Sequence, residues 1–194
     1  MVWVFAFDRD DTLSCSPKTG PIPLEWVQLL ASETPHEVWA TGSQRLVEEA
    51  NIPGTAELIE AYIDRWGDPR DHVHARSHPK VESGDGLPRD APDPDIVTTV
   101  YLAEGNPPAR GMTGGDSLTR DQRLRLLRAL FPTAEKHIVI DNKYLGHIPG
   151  WTHWYPQEFV DFVSLLARLP NVAEPMDVGI PDYYDWPPDA TDHE

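Results

Sequence analysis

Short apolar runs alternate along the chain with stretches whose apolar residues recur every three or four positions. Val2 to Phe7, VWVFAF, is almost wholly apolar and too short for a helix, which predicts a buried strand. Leu24 to Ala31, LEWVQLLA, has helical spacing after a proline-rich turn, and HEVWATGS (36–43) is a second short strand running into a glycine turn. SQRLVEEA (43–50) and TAELIEAYIDRW (55–66) read as helices, with Ser43 and Thr55 placed to cap their starts. DHVHARSH (71–78) has the pattern of a strand, and Glu82 to Asp95 is mostly Pro, Gly and Asp, which predicts an exposed loop. The β-branched run IVTTVYLA (96–103) predicts a strand, and GNPPARGMTGG (105–115) a further loop. SLTRDQRLRLLRALF (117–131) is the strongest helix, with Leu118, Leu124, Leu127 and the Leu130 and Phe131 pair at roughly three-and-four spacing and arginines between them. KHIVID (136–141) is an apolar run ending in an acid, GWTHWYP (150–156) the next strand with its packing aromatics, and EFVDFVSLLARL (158–169) a last amphipathic helix.

Strands separated by helices imply an α/β fold, a Rossmann-like parallel sheet with helices on both faces. In such sheets the ligand lies beyond the carboxyl ends of the strands. Asp8, Thr41 and Asp141 each fall where a predicted strand stops, so one architecture brings all three to one edge. A length of 194 residues fits one domain. That domain is expected over 1–170, with 53–115 the only room for a small cap or insertion and 171–194 an acidic, proline-rich tail.

Charge narrows the partners. Sixteen basic residues against 32 acidic give a net charge of −16, which disfavours nucleic acid and anionic membrane surfaces. A site that handles anions in such a chain needs a bound cation or a local basic patch. Lys18, Lys80, Lys136 and Lys143 are the only lysines and Asp outnumbers Glu, the balance of a salt-adapted, halophilic cytoplasmic protein in which high ionic strength screens self-repulsion. Cys15 is the only cysteine, so neither an intrachain disulfide nor a cysteine-built zinc site can form. No apolar stretch is long enough to span a bilayer, and the N-terminal run meets acids too soon for a signal peptide.

The chemistry gathers in FDRDDTL (7–13). Residues two apart in an extended segment share a side, so Asp8 and Asp10 face one pocket as the first strand ends. Two carboxylates that close need a cation or a shared proton, and Mg²⁺, which takes oxygen ligands and keeps several waters, is the expected relief, with Asp141 completing the set. His72, His74 and His78 alternate as strand ligands would, but are read as surface or substrate-facing histidines. The helix arginines Arg123, Arg125 and Arg128 are read as a solvated face, with Arg120 alone placed for function.

FDRDDTL resembles the first motif of the haloacid dehalogenase superfamily of phosphohydrolases, an apolar strand followed by Asp-x-Asp-x-Thr, here Asp8, Asp10 and Thr12. VWATG (38–42) resembles the second motif, a strand ending in Thr41, and HIVIDN (137–142) the fourth, a strand ending in Asp141. The resemblance implies that Asp8 is the nucleophile, that Asp10 is the general acid and then base, and that Thr41 binds a phosphate oxygen. It places Mg²⁺ on the Asp8 carboxylate, the Asp10 main-chain carbonyl and Asp141. Asp10 favours phosphoryl transfer over carbon–halogen cleavage. The third-motif cation is Arg120 or Lys80, with Arg120 favoured by its place before the fourth motif. Asp11 stands where the family often has glycine. Asn142 replaces a second acid, as in the carboxy-terminal-domain phosphatase branch.

The expected function is therefore a Mg²⁺-dependent phosphohydrolase acting through an aspartyl-phosphate on a small phosphate monoester. A non-catalytic binding or regulatory protein of the same fold, and a phosphotransferase, are the alternatives. A small or absent cap would leave the pocket open.

Overall fold

A computed structural model describes residues 2–15, 17–70, 94–103 and 118–168. Trp3–Phe7 (β1) is buried at every position and lies inside a four-stranded parallel sheet with Glu37–Ala40 (β2), Lys136–Ile140 (β3) and Thr152–Trp154 (β4), in the order β2-β1-β3-β4. A central parallel strand is covered on both sides, which is why β1 and β3 read as continuous apolar runs rather than as alternating ones. Phe7 pairs with Ala40 on one side and Ile140 on the other, so the three strands end level.

The helices are Leu24–Glu33 (α1), Gln44–Ala50 (α2), Thr55–Trp66 (α3), Pro94–Ala103 (α4), Arg120–Leu130 (α5) and Pro156–Arg168 (α6). Successive side chains of β1 enter different hydrophobic clusters, as the two-residue period of a strand requires. Val4 and Ala6 join Leu58 and Tyr62 of α3, Ile96 and Val100 of α4, and Leu124 and Leu127 of α5. Trp3, Phe5 and Phe7 join Val27 of α1, Leu46 of α2, and Phe159 and Phe162 of α6. Full burial of a side chain such as Phe5 contributes roughly 1.5–3 kcal/mol, so these two clusters hold the strand ends in place. No helix among the described residues is long and apolar enough to cross a membrane.

One predicted element changes type. IVTTVYLA is helical, within α4, not a strand. Its β-branched content is a weak preference that packing overrides: Ile96 and Val100 stand one helical turn apart, both buried, and Tyr101 is buried beside them. Pro94 opens the helix where its missing N–H costs nothing. Gln122 Nε2 of α5 donates to Thr99 Oγ1 at 2.8 Å, tying the two helices together.

Two caps differ from expectation as well. α3 begins after Gly54, not at a Thr55 cap, and the Gly54 amide donates to Glu57 Oε2 at 2.8 Å. Ser43 stands at the start of α2 but makes no side-chain capping bond. The Thr119 hydroxyl does cap α5: it accepts from the Gln122 amide at 3.2 Å while Gln122 Oε1 accepts from the Thr119 amide at 2.8 Å. The strand expected over 71–78, its three histidines, Lys80, the loop over 105–115 and the tail from 171 lie outside the described residues; of the loop expected over 82–95, the last two residues belong to α4.

Candidate active site

Asp8 and Asp141 are the first residues beyond β1 and β3, and each is fixed by a neighbouring strand. The Asp8 amide donates to the Ile140 carbonyl at 3.0 Å, and the Asp141 amide to the Trp154 carbonyl at 3.3 Å. With Phe7 in register with Ile140, the two carboxylates emerge side by side. Arg120, the first residue of α5, bridges them: Nη2 reaches Asp8 Oδ1 at 3.0 Å, and Nη1 donates to Asp141 Oδ2. Asp141 is fully buried, and its Oδ1 accepts the Lys143 amide at 2.8 Å. Burial above all, then the charge of Asp141, pushes the Asp8 carboxyl above its ordinary value, and Arg120 opposes the shift.

The chain then turns sharply. The Thr12 and Leu13 amides both donate to the Arg9 carbonyl, and Ser14, Gly20 and Ile22 exchange main-chain hydrogen bonds with residues 12–22 to close a small ladder. Gly20 packs against the backbone of Asp11 and Thr12 with no room for a Cβ. Asp11 has φ 58°, the left-handed conformation that glycine adopts freely and Asp tolerates better than most residues. A glycine-preferring position is thus filled by the acid, whose Oδ2 stands 3.5 Å from Asn142 Nδ2.

Asp10 lines the same cleft as Asp8, but its carboxylate is held elsewhere. Arg9 Nη1 donates to Oδ1 at 3.0 Å, and Lys18 Nζ lies 3.4 Å from Oδ2. Arg9 itself is buried and grips Glu49 of α2 through Nε at 2.9 Å and Nη2 at 2.8 Å. The Arg9 hydrogen bonds hold both the Asp10 and Glu49 carboxyls below their ordinary values, and Glu49 in turn raises that of Arg9.

Thr41 is fully buried; its amide and its hydroxyl both donate to the Phe7 carbonyl, at 2.9 and 3.0 Å. The residues after it, Gly42 and Ser43, line the cleft, which encloses about 440 Å³ together with Asp8, Asp10, Arg120 and Lys143. Arg123 Nη1 donates to the Thr41 carbonyl. Of the residues singled out in the sequence, Asp8, Asp141 and Arg120 are in direct contact, Asp10 lies in their cleft, Thr41 stands behind it, and Lys80 lies outside the described residues. Two more residues bear on the site. Arg123, expected on the solvated face of α5, instead turns inward, with Nη1 donating to the Thr41 carbonyl and Nε buried, and its spacing of three from Arg120 puts both on one helix face. Arg9 gave no comparable signal, because its partner Glu49 is distant in sequence.

Among the described residues no group of three His, Cys, Asp or Glu side chains is placed to hold a metal ion. Asp8 and Asp141 do form a pair of oxygen donors bridged by one guanidinium, close enough that the charge of Asp141 is felt at Asp8. That is donor chemistry that Mg²⁺, which binds through one or two carboxylates and keeps its waters, can use.

Comparison with protein-family models, with curated proteins and with solved structures finds no match to the chain.

Proposed function

We propose that the protein is a Mg²⁺-dependent phosphohydrolase of the haloacid dehalogenase type, acting on a phosphate monoester through an aspartyl-phosphate. The observation that carries this reading is the meeting of Asp8 and Asp141, from adjacent parallel strands, on the guanidinium of Arg120 beside an open cleft. The division of the core into two clusters, one for each side of β1, supports a sheet with helices on both faces.

In this reading Asp8 attacks phosphorus and the ester oxygen leaves, splitting hydrolysis into two displacements. Asp10 turns from Arg9 and Lys18 toward the cleft, protonates the leaving oxygen, and as its conjugate base takes a proton from the water that cleaves the intermediate. Arg120 keeps the Asp8 oxygen aimed. Asp8, the Asp10 carbonyl and Asp141 would hold Mg²⁺, which supplies neutralising charge for the transferring group. Hydrolysis of p-nitrophenyl phosphate with Mg²⁺ in molar KCl tests the reading. Turnover abolished by Asp8→Asn supports it, and no turnover with any divalent metal overturns it.

A second reading, a non-catalytic binding protein of the same fold, has one observation in its favour: both oxygens of Asp10 are engaged by cations. The same assay separates the two.

A further inference from the structure

Arg120 cannot by itself draw an anion to this edge. It is bound to two carboxylates, so the three groups together carry a formal charge of −1. Arg123, one helical turn further along α5, is in a different state. Its Nη1 donates to a main-chain carbonyl, its Nε is buried without a hydrogen-bond partner, and no carboxylate among the described residues pairs with it. Both guanidiniums converge beside Gly42. A methyl group on that glycine would lie 3.7 Å from Asp8 Oδ1, 3.8 Å from Arg120 Nη2 and 3.9 Å from Arg123 Nη1, all ordinary contact distances. The glycine therefore leaves open a point that the attacking oxygen and two guanidiniums all reach.

A cation placed beside another and partly removed from water is costly, and an anion between the two relieves it. We propose that Arg123 is a second phosphate-binding residue, framing the phosphoryl group at Gly42 opposite Arg120 and cancelling the negative charge left on the Asp8–Asp141–Arg120 group, so that this acidic chain can admit a phosphate dianion. The inference rests on the phosphohydrolase reading and divides its labour. Arg120 positions Asp8 and Asp141; Arg123 binds the ligand. A phosphoryl group spreads its charge over three oxygens, and a second guanidinium matches that spread better than one already occupied by acids. Burial first, and then the charge of Arg120, pushes Arg123 below the ordinary arginine value, the direction expected of a cation awaiting its counter-charge.

Titration calorimetry with inorganic phosphate tests this, comparing the wild type, Arg123→Gln and Arg125→Gln, the last removing an exposed arginine paired with Asp121. Phosphate affinity is expected to fall about tenfold or more in Arg123→Gln, the scale of one charged hydrogen bond, and to stay unchanged in Arg125→Gln. Turnover of p-nitrophenyl phosphate should show the loss chiefly in KM. Equal phosphate affinity in the wild type and Arg123→Gln, or no phosphate binding by the wild type, overturns the inference. In a wild type that still turns over, that result leaves the phosphohydrolase reading standing. Arg123-dependent phosphate binding without turnover does the reverse. Should Arg123→Gln not fold, phenylglyoxal modification of the wild type, mapped by mass spectrometry, gives the answer. Phosphate should protect Arg123 and not Arg125, and equal reactivity with and without phosphate counts against the site.

Discussion

Arg9 and Glu49 join the end of β1 to α2 through two parallel N–H···O bonds of 2.9 and 2.8 Å, and the third nitrogen of the same guanidinium holds Asp10. A residue between two site acids is thus a structural bolt whose Nη1 reaches the candidate acid–base group. Arg9→Met keeps much of the stem's packing but strands Glu49, whose side chain is 30% exposed and therefore partly rescued by water. We expect a loss of about 2 kcal/mol, read as a lower urea midpoint. Lys18→Met, which removes only the exposed contact to Asp10, should leave the midpoint in place.

Asp11 is explained by its backbone. At φ 58° a glycine is unstrained, an Asp mildly strained, and a β-branched residue severely so. Asp11→Gly should leave stability within about 1 kcal/mol of the wild type, the relief of strain being offset by the added freedom of the unfolded chain. Asp11→Val should cost about 1–3 kcal/mol. Equal denaturation midpoints for the two variants would show that the turn does not hold its conformation.

These residues also show how much could be read in advance. β1 and β3 were legible because a buried parallel strand has no polar face, and each apolar run stops at the acid it delivers. Asp8 and Asp141 could be nominated together because strand ends converge on one edge in any such sheet, whereas Arg120 came from the resemblance, which places a cation before the fourth motif. IVTTVYLA misled because its β-branched content carries less weight than the helical spacing of Ile96 and Val100, whose packing surface no local pattern displays. The state of Asp10 was equally hidden. Its alternation with Asp8 is a property of extended chain, whereas the bonds that engage it come from a turn and a lysine eight residues on.

His36 carries an acid-sensitive bond. Its Nδ1 accepts the Trp3 amide at 3.1 Å, its ring stacks on the Trp3 indole, and its Nε2 is buried without a partner. Burial lowers its pKa from the ordinary 6.5, so below that pH the unfolded chain binds a proton that the native ring resists. Stability is full above pH 6.5 and declines as pH falls toward the depressed native value. The urea midpoint should therefore drop between about pH 7.5 and pH 5.5, and His36→Asn, which can accept the bond without titrating, should reduce the drop. An unchanged drop would assign the acid sensitivity to other groups. His137, also lowered by burial, and Asp8, raised and so acting in the opposite sense, titrate in both proteins.

The net charge of −16 and the paired carboxylates make separable demands on cations. Diffuse self-repulsion is relieved by any salt, so the melting temperature should rise over molar KCl and then level off as screening saturates. A flat response would remove the halophilic reading. On the proposed reading the Asp8–Asp141 pair takes something else, a localised hard cation, and a ligand that binds only the native state stabilises it by RT ln(1 + [L]/Kd), about 1.4 kcal/mol at tenfold excess over Kd. Millimolar Mg²⁺ added on top of saturating KCl should thus raise the melting temperature further, EDTA should reverse the gain, and Asp141→Asn should abolish it. Because Arg120 already neutralises part of the pair, the increment measures how far Mg²⁺ outcompetes the guanidinium for Asp141. An increment that survives in Asp141→Asn would place the metal away from this carboxylate.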